Sequence, residues 1–246
     1  MKPRAVAIIQ ARMGSRRLPG KVMKILGNTS ILMYLVERIS RARTLDSILV
    51  ATTTHPRDSV IVQECERHGI PSFRGTETDV LGRYVAAAES SRAGIVVRVT
   101  ADNPFTDPDS IDRAVEAIAF DGADYAIEMN LPVGTTGEAL TRTALELIDT
   151  VADTPAWREH VTLYAKDNPW AMKCAFLPPR PGCDRPDLTF TVDEPRDYAY
   201  MCEVAKQLHR MDFELKNLIA LADVMAETER GLKPVTGCVH NVSVCL

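Results

Sequence analysis

Ala5-Val6-Ala7-Ile8-Ile9-Gln10-Ala11-Arg12-Met13-Gly14-Ser15-Arg16-Arg17-Leu18-Pro19-Gly20-Lys21 is an apolar run that ends in a Gly/Pro-bent loop carrying four cations. Ala5 to Gln10 reads as a first strand, and a short loop at the carboxyl end of a first parallel strand is where open α/β sheets hold a phosphorylated ligand. The charge distribution sharpens this. Residues 1–36 carry seven Lys or Arg and no Asp or Glu, whereas the whole chain stands at −4, so residues 37–246 carry −11. An isolated positive pole on an acidic chain suits an anion.

The loop is neither of the two common phosphate fingerprints. Five residues separate Gly14 from Gly20-Lys21 where the ATPase loop has four, and Val22 stands where that loop needs Ser or Thr. Pro19 removes a backbone donor, and no Gly-x-Gly occurs anywhere. Arg12 and Arg17 are therefore candidates to grip a polyphosphate through their side chains, with Lys21 as a point charge. Taken alone, the stretch also reads as a solvated basic turn.

Working outward from it, strands alternate with amphipathic helices, the pattern of a parallel sheet covered on both faces. Ser30 caps a helix expected over Ile31 to Arg43. Ile48 to Thr52 reads as a strand, Asp58 to His68 as a helix, Pro71 to Phe73 as a short strand, Val80 to Arg92 as a helix and Ile95 to Val99 as a strand. Ala123 to Ile127 reads as another strand, and the turn residues around Asn130 to Gly137 predict a hairpin or insertion arm over about 128–140. Helices follow over Thr141–Val151 and Pro155–Lys166, strands over Met172–Phe176 and Leu188–Val192, and helices over Pro195–Arg210 and Phe213–Arg230. One domain over 1–232 and a loosely held tail over 233–246 are expected.

Composition excludes several classes. An apolar fraction of 46% with 25% charged residues is ordinary for a globular chain with a substantial core. No run approaches the eighteen apolar residues of a membrane span, and the N-terminus lacks a signal-peptide stretch, so a cytoplasmic protein without a membrane partner is expected. The acidic balance disfavours broad nucleic-acid binding. Six cysteines without a C-x-x-C pair point to reduced thiols. Cys238, His240 and Cys245 are too few for a structural zinc site, and Asn241-Val242-Ser243 matches a glycosylation acceptor without a secretory context.

Two further residues draw attention. Asp102 follows the strand at Ile95–Val99, and Asp193 follows Leu188–Val192, so both are candidates to meet above one sheet edge. Paired carboxylates beside a phosphate grip suit Mg²⁺, a hard ion that shares substrate phosphates. Each Asp also precedes a helix and reads equally as a cap or turn residue.

Gln10 to Lys21 closely resembles the opening motif of the sugar cytidylyltransferases, the family that includes enzymes acting on acylneuraminate and on deoxy-manno-octulosonate, and in particular the branch named for spore coat polysaccharide synthesis. Further resembling stretches are Val50 to Thr53, Phe73-Arg74-Gly75 with Asp79 to Leu81 and Arg83-Tyr84, Arg98 to Pro104, Arg158 to Thr162, and Thr191 to Asp197. They occur in the family's order over roughly residues 4–210.

The resemblance implies an α/β, Rossmann-like nucleotide-diphospho-sugar transferase fold, with a mixed, mainly parallel sheet between helices, commonly dimeric. It implies transfer of CMP from CTP to a sugar or similar small acceptor, with Mg²⁺ and release of pyrophosphate. Arg12, Ser15, Arg17 and Lys21 would hold the triphosphate, and Asp102 and Asp193 the metal. Arg74, Gly75, Thr100 and Ala101 would lie near the nucleoside, and His160 would orient or deprotonate the acceptor, unless it is a helix-packing histidine. Ala101 departs from the glycine usual at its position. Thr135-Thr136 departs from the Asp that many members of the branch carry in the insertion, which leaves the acceptor open. Two rival readings are a glycosyltransferase using Asp107-Pro108-Asp109 as a metal motif, and a nucleotide-binding regulator without turnover.

Overall fold

The computed structural model describes residues 3–208 and 211–229; the tail 233–246, with Cys238, His240, Asn241 and Cys245, lies outside them. The first strand, β1, spans Ala5–Gln10. Its loop ends in a single helical turn at Lys21–Met23, followed by a small antiparallel pair, β2 (Ile25–Leu26) and β3 (Thr29–Ser30). Helix α1 (Ile31–Ile39) begins where Ser30 Oγ accepts the Met33 amide at 3.2 Å. It stops short of Arg43 because Asp112 takes the Arg43 and Thr44 amides at 3.2 and 2.8 Å and turns the chain.

The chain continues through β4 (Ser47–Thr53), α2 (Ser59–Arg67), β5 (Ser72–Gly75), α3 (Val80–Ser90), β6 (Ile95–Thr100), α4 (Pro108–Ala119), β7 (Tyr125–Glu128) and β8 (Glu138–Thr141). Then come α5 (Arg142–Val151), α6 (Pro155–Glu159), α7 (Leu163–Asp167), β9 (Cys174–Leu177), α8 (Pro195–Gln207) and α9 (Leu215–Glu229).

Seven strands form one sheet in the order β5-β4-β1-β6-β8-β7-β9. Strand β8 runs antiparallel to β6 and β7, and the remaining pairs are parallel. Period-two alternation explains the layers. Ala5, Ala7 and Ile9 pack with Leu35, Ile61 and Val115 on one face, while Val6 and Ile8 pack with Leu81, Tyr84 and Leu145 on the other. Both faces of β1 are dry, so truncating Ile8 or Ile9 to Ala would cost about 2–5 kcal/mol.

From β1 the chain winds outward through β4 to β5, then returns to β6 on the other side of β1. That reversal opens a crevice between the carboxyl ends of β1 and β6. Gln10 and Thr100 face each other in register, and the Ala101 amide donates to the Gln10 carbonyl at 3.0 Å. The basic loop and Asp102 therefore leave the sheet side by side.

Two expected elements differ. Leu188–Val192 is not a sheet strand: it makes only an isolated bridge, Thr189 to Val133. Its Phe190 and Val192 are instead buried with Phe105, Met201 and Leu218 in a third apolar cluster, and its amides bond to the 131–135 loop and to the Asp102 carbonyl. The helix expected over Pro155–Lys166 is broken into α6 and α7 at His160-Val161-Thr162, because Val161 drops into the core with no exposed surface and Thr162 donates to the buried Glu138. The turn-rich stretch after β7 links two antiparallel strands, and its loop packs down, with Leu131 and Thr135 buried.

Candidate active site

The crevice is a cleft of about 1270 Å³. Arg12, Arg16, Arg17, Lys21, Arg57 and Arg98 line it against four carboxylates, Glu77, Asp102, Glu159 and Asp193, so its charge favours a polyanion. Ser15, Thr100, Ala101 and His160 line it too.

The basic loop is held by its backbone. Gly20 adopts φ 69°, a left-handed conformation that costs a glycine little, and its amide donates to the Met13 carbonyl at 3.0 Å. The Met13 amide in turn donates to Asp58 Oδ1 at 2.8 Å. Asp58 has no exposed surface and its other oxygen accepts the Thr53 hydroxyl. Ser15 Oγ accepts the Leu18 amide at 3.3 Å, which leaves its own hydroxyl hydrogen able to donate into the cleft.

Lys21 Nζ joins the two expected carboxylates. It donates to Asp102 Oδ2 at 2.6 Å, to the Val192 carbonyl at 2.8 Å and to Asp193 Oδ1 at 3.0 Å. Arg17 reaches the same Asp193 oxygen at 2.8 Å. Asp193 comes into position through long-range restraint: the Val192 amide donates to the Asp102 carbonyl at 2.8 Å, and the Asp193 and Glu194 amides both donate to Asp197 Oδ2 at the start of α8. Among the described residues no cluster of three or more His, Cys, Asp or Glu gathers to hold a metal. The donor set here is two carboxylates and one carbonyl, all hard oxygens. That suits a cation such as Mg²⁺ or Mn²⁺ completing its shell with substrate phosphates.

His160 is exposed at the break between α6 and α7, so it is not a packing histidine. Its neighbour Glu159 lies 3.4 Å from Arg12. Arg158 turns away, bound to both oxygens of Asp79 and to Asp149.

Arg74 and Gly75 lie outside the residues that line the cleft. They lie on β5, the edge strand beyond β4, where Arg74 donates to the Thr53 and His55 carbonyls at 3.0 Å and Gly75 packs against Phe73 and Arg83. The following residues Glu77 and Thr78 reach the cleft instead, with Glu77 paired to Arg57. Asp107 is no metal ligand either. It is 1% exposed, caps α4 through the Ser110 amide, and pairs with Arg38 and Arg180.

Two residues carry no local signal of their roles: Asp58 reads as a helix start, and Gly134 as turn chemistry. Arg98 lies at the cleft floor, bonded to Glu138 at 3.0 Å. Burial alone would raise the Glu138 carboxyl, but Arg98, Lys166, Thr162 and Tyr125 together hold it down at about 2. Gly134 must be glycine: at φ 87° an added Cβ would stand 2.8 Å from the Phe190 carbonyl carbon.

A wound sheet with a cation-rich loop and paired carboxylates at its switch point defines an α/β protein that handles a phosphorylated ligand. Residues 6–227 match the family described as Cytidylyltransferase, and the chain belongs to it: this is a CTP-dependent nucleotidyltransferase. It is 36% identical to MJ1063, an uncharacterized protein of Methanocaldococcus jannaschii, over 89% of this chain and 90% of that one. It is 34% identical to the spore coat polysaccharide biosynthesis protein SpsF of Bacillus subtilis, over 87% and 92% of the two chains. A solved cytidylyltransferase structure from Leptospira borgpetersenii superposes with a TM-score of 0.85 at 26% identity, covering 96% of this chain and all of the other. Among the described residues no helix is long and apolar enough to cross a membrane.

Proposed function

We propose that the protein transfers CMP from CTP to the hydroxyl of a sugar, or of a similar small acceptor, with Mg²⁺ and release of pyrophosphate. The convergence of Lys21, Asp102 and Asp193 at one point of a cation-rich cleft carries this reading. Arg12, Arg17 and Lys21 neutralise the triphosphate, and the Ser15 hydroxyl donates to it. Thr100 and Ala101 form the wall against the nucleoside. Asp102 and Asp193 hold the divalent cation, which supplies polarisation of the α-phosphate when bound. His160, exposed and lining the cleft, orients the acceptor hydroxyl and takes its proton. Most of the rate then comes from positioning and fixed charge, without a covalent enzyme intermediate.

A sugar acceptor is supported by the relative whose name places it in spore coat polysaccharide biosynthesis. A homodimer, on the strength of the family resemblance, and a cytoplasmic location, expected from the sequence's lack of an apolar span or signal stretch, complete the proposal. The test is pyrophosphate release from CTP and Mg²⁺ over a panel of acidic and neutral sugars. Release that depends on one acceptor and on CTP supports the reading. Pyrophosphate release from GTP or UTP but not CTP, or release of free UDP or CMP from a nucleotide-activated sugar with no pyrophosphate, overturns it.

A further inference from the structure

Lys21 is bound in a way that a simple phosphate ligand would not need to be. Its three ammonium hydrogens meet three oxygens, those of Asp102, Val192 and Asp193, at 2.6, 2.8 and 3.0 Å. Its side chain is only 10% exposed within an otherwise open cleft. Two carboxylates and a carbonyl converging on one charge form a cage of the kind a hard cation takes. Two negative groups held this close repel one another, and a cation between them offsets that repulsion.

We propose that Lys21 is a built-in surrogate for the divalent cation: its ammonium and the metal compete for Asp102 and Asp193, and a triphosphate admits the metal by drawing Lys21 away. This rests on the reading above that those two carboxylates hold the metal. The four-carbon lysine stem lets the ammonium swing without backbone movement. Arg17 is tied to the same Asp193 oxygen, so two cations of the phosphate grip are engaged with the metal carboxylates. Moving them onto a triphosphate frees both oxygens together. Metal and triphosphate then bind with positive coupling, and each tightens the other by the same factor.

The probe is Mn²⁺ without nucleotide, followed by electron paramagnetic resonance and calorimetry on the wild type and on Lys21→Met. The variant is expected to bind Mn²⁺ at least about tenfold tighter, as when a competing closed state populated ninefold over the open one is removed. Adding Asp193→Asn to Lys21→Met should abolish that gain. If Lys21→Met folds poorly because its carboxylates repel, Mn²⁺ should restore its melting transition by circular dichroism while shifting the wild type little, which is the same result in a second readout. Equal Mn²⁺ affinity and equal Mn²⁺ shifts in the two proteins overturn the surrogate role. The carboxylate assignment survives that outcome when wild type with CTP binds Mn²⁺ beyond what free CTP binds and Asp193→Asn does not. No Mn²⁺ binding by either protein, with or without CTP, overturns both.

Discussion

Gly134→Ala tests how Asp193 is held without a strand beneath it. The new Cβ would lie 2.8 Å from the Phe190 carbonyl carbon and 2.9 Å from its oxygen, where ordinary contact begins at 3.4 Å, so the two backbones must part by about 0.6 Å. The bonds from Phe190 N to the Val133 carbonyl, 2.7 Å, and from Val133 N to the Leu188 carbonyl, 2.9 Å, resist that movement. Holding alanine at φ 87° adds about 1–2 kcal/mol of backbone strain. Urea unfolding should show a total loss of about 2–3 kcal/mol. Asp193 lies three residues beyond Phe190, and a displacement of this size at a carboxylate proposed to hold the metal should lower turnover on the order of 10- to 100-fold. Gly182→Ala is the control: φ is 78° but nothing lies within 4 Å of the added carbon. It should cost about 1 kcal/mol from strain alone, with turnover unchanged. The variants are compared by pyrophosphate release across a Mg²⁺ titration. Normal turnover and Mg²⁺ dependence in Gly134→Ala would refute the claim that the 131–135 loop positions Asp193.

Asp58→Ala leaves the part-buried Met13 amide and the buried Thr53 hydroxyl without their acceptor; at about 1–3 kcal/mol for each unmet donor, chemical denaturation should show a loss of about 2–6 kcal/mol, and the KM for CTP should rise as the loop loosens. His160→Ala should lower kcat by about 10²-fold or more with little change in CTP binding by calorimetry; an unchanged kcat would remove His160 from the reaction. Glu138, held near 2 against an ordinary 4.5, has a folded-state pKa below its unfolded value, so its stabilisation is present above pH 4.5 and drains away as pH falls toward 2. The stability difference between wild type and Glu138→Gln should therefore shrink by about 3 kcal/mol over that window, and a difference that stays constant with pH would mean that Glu138 is not the charged partner of Arg98 and Lys166.

Local chemistry made much of this protein legible. Ala5–Gln10 has one conformation that buries both its faces, and Ser30, Asp107 and Thr141 start helices because each side-chain oxygen accepts an amide three residues on. The run from Gln10 to Lys21, with Asp102 and Asp193, carried both the family and the main charges of the cleft. These features need neighbours only a few residues away, or a pattern whose period states its own geometry.

The rest depended on partners distant in the chain. Leu188–Val192 has the residues of a strand, yet Phe190 and Val192 found an apolar cluster with α8 and α9, and the strand identity was lost while the position of Asp193 was kept. Arg74 sits in a stretch that resembles the family's sequence, but the sheet order puts β5 at the edge and turns its guanidinium onto backbone carbonyls. Asp58, Glu138 and Gly134 matter through Met13, Arg98 and Phe190, each more than thirty residues away. The linear chain specified which charges and turns were present. Strand order and burial selected which of them face the same cleft, because a carboxylate or a guanidinium takes its role from the oxygen or cation that folding brings within about 3 Å.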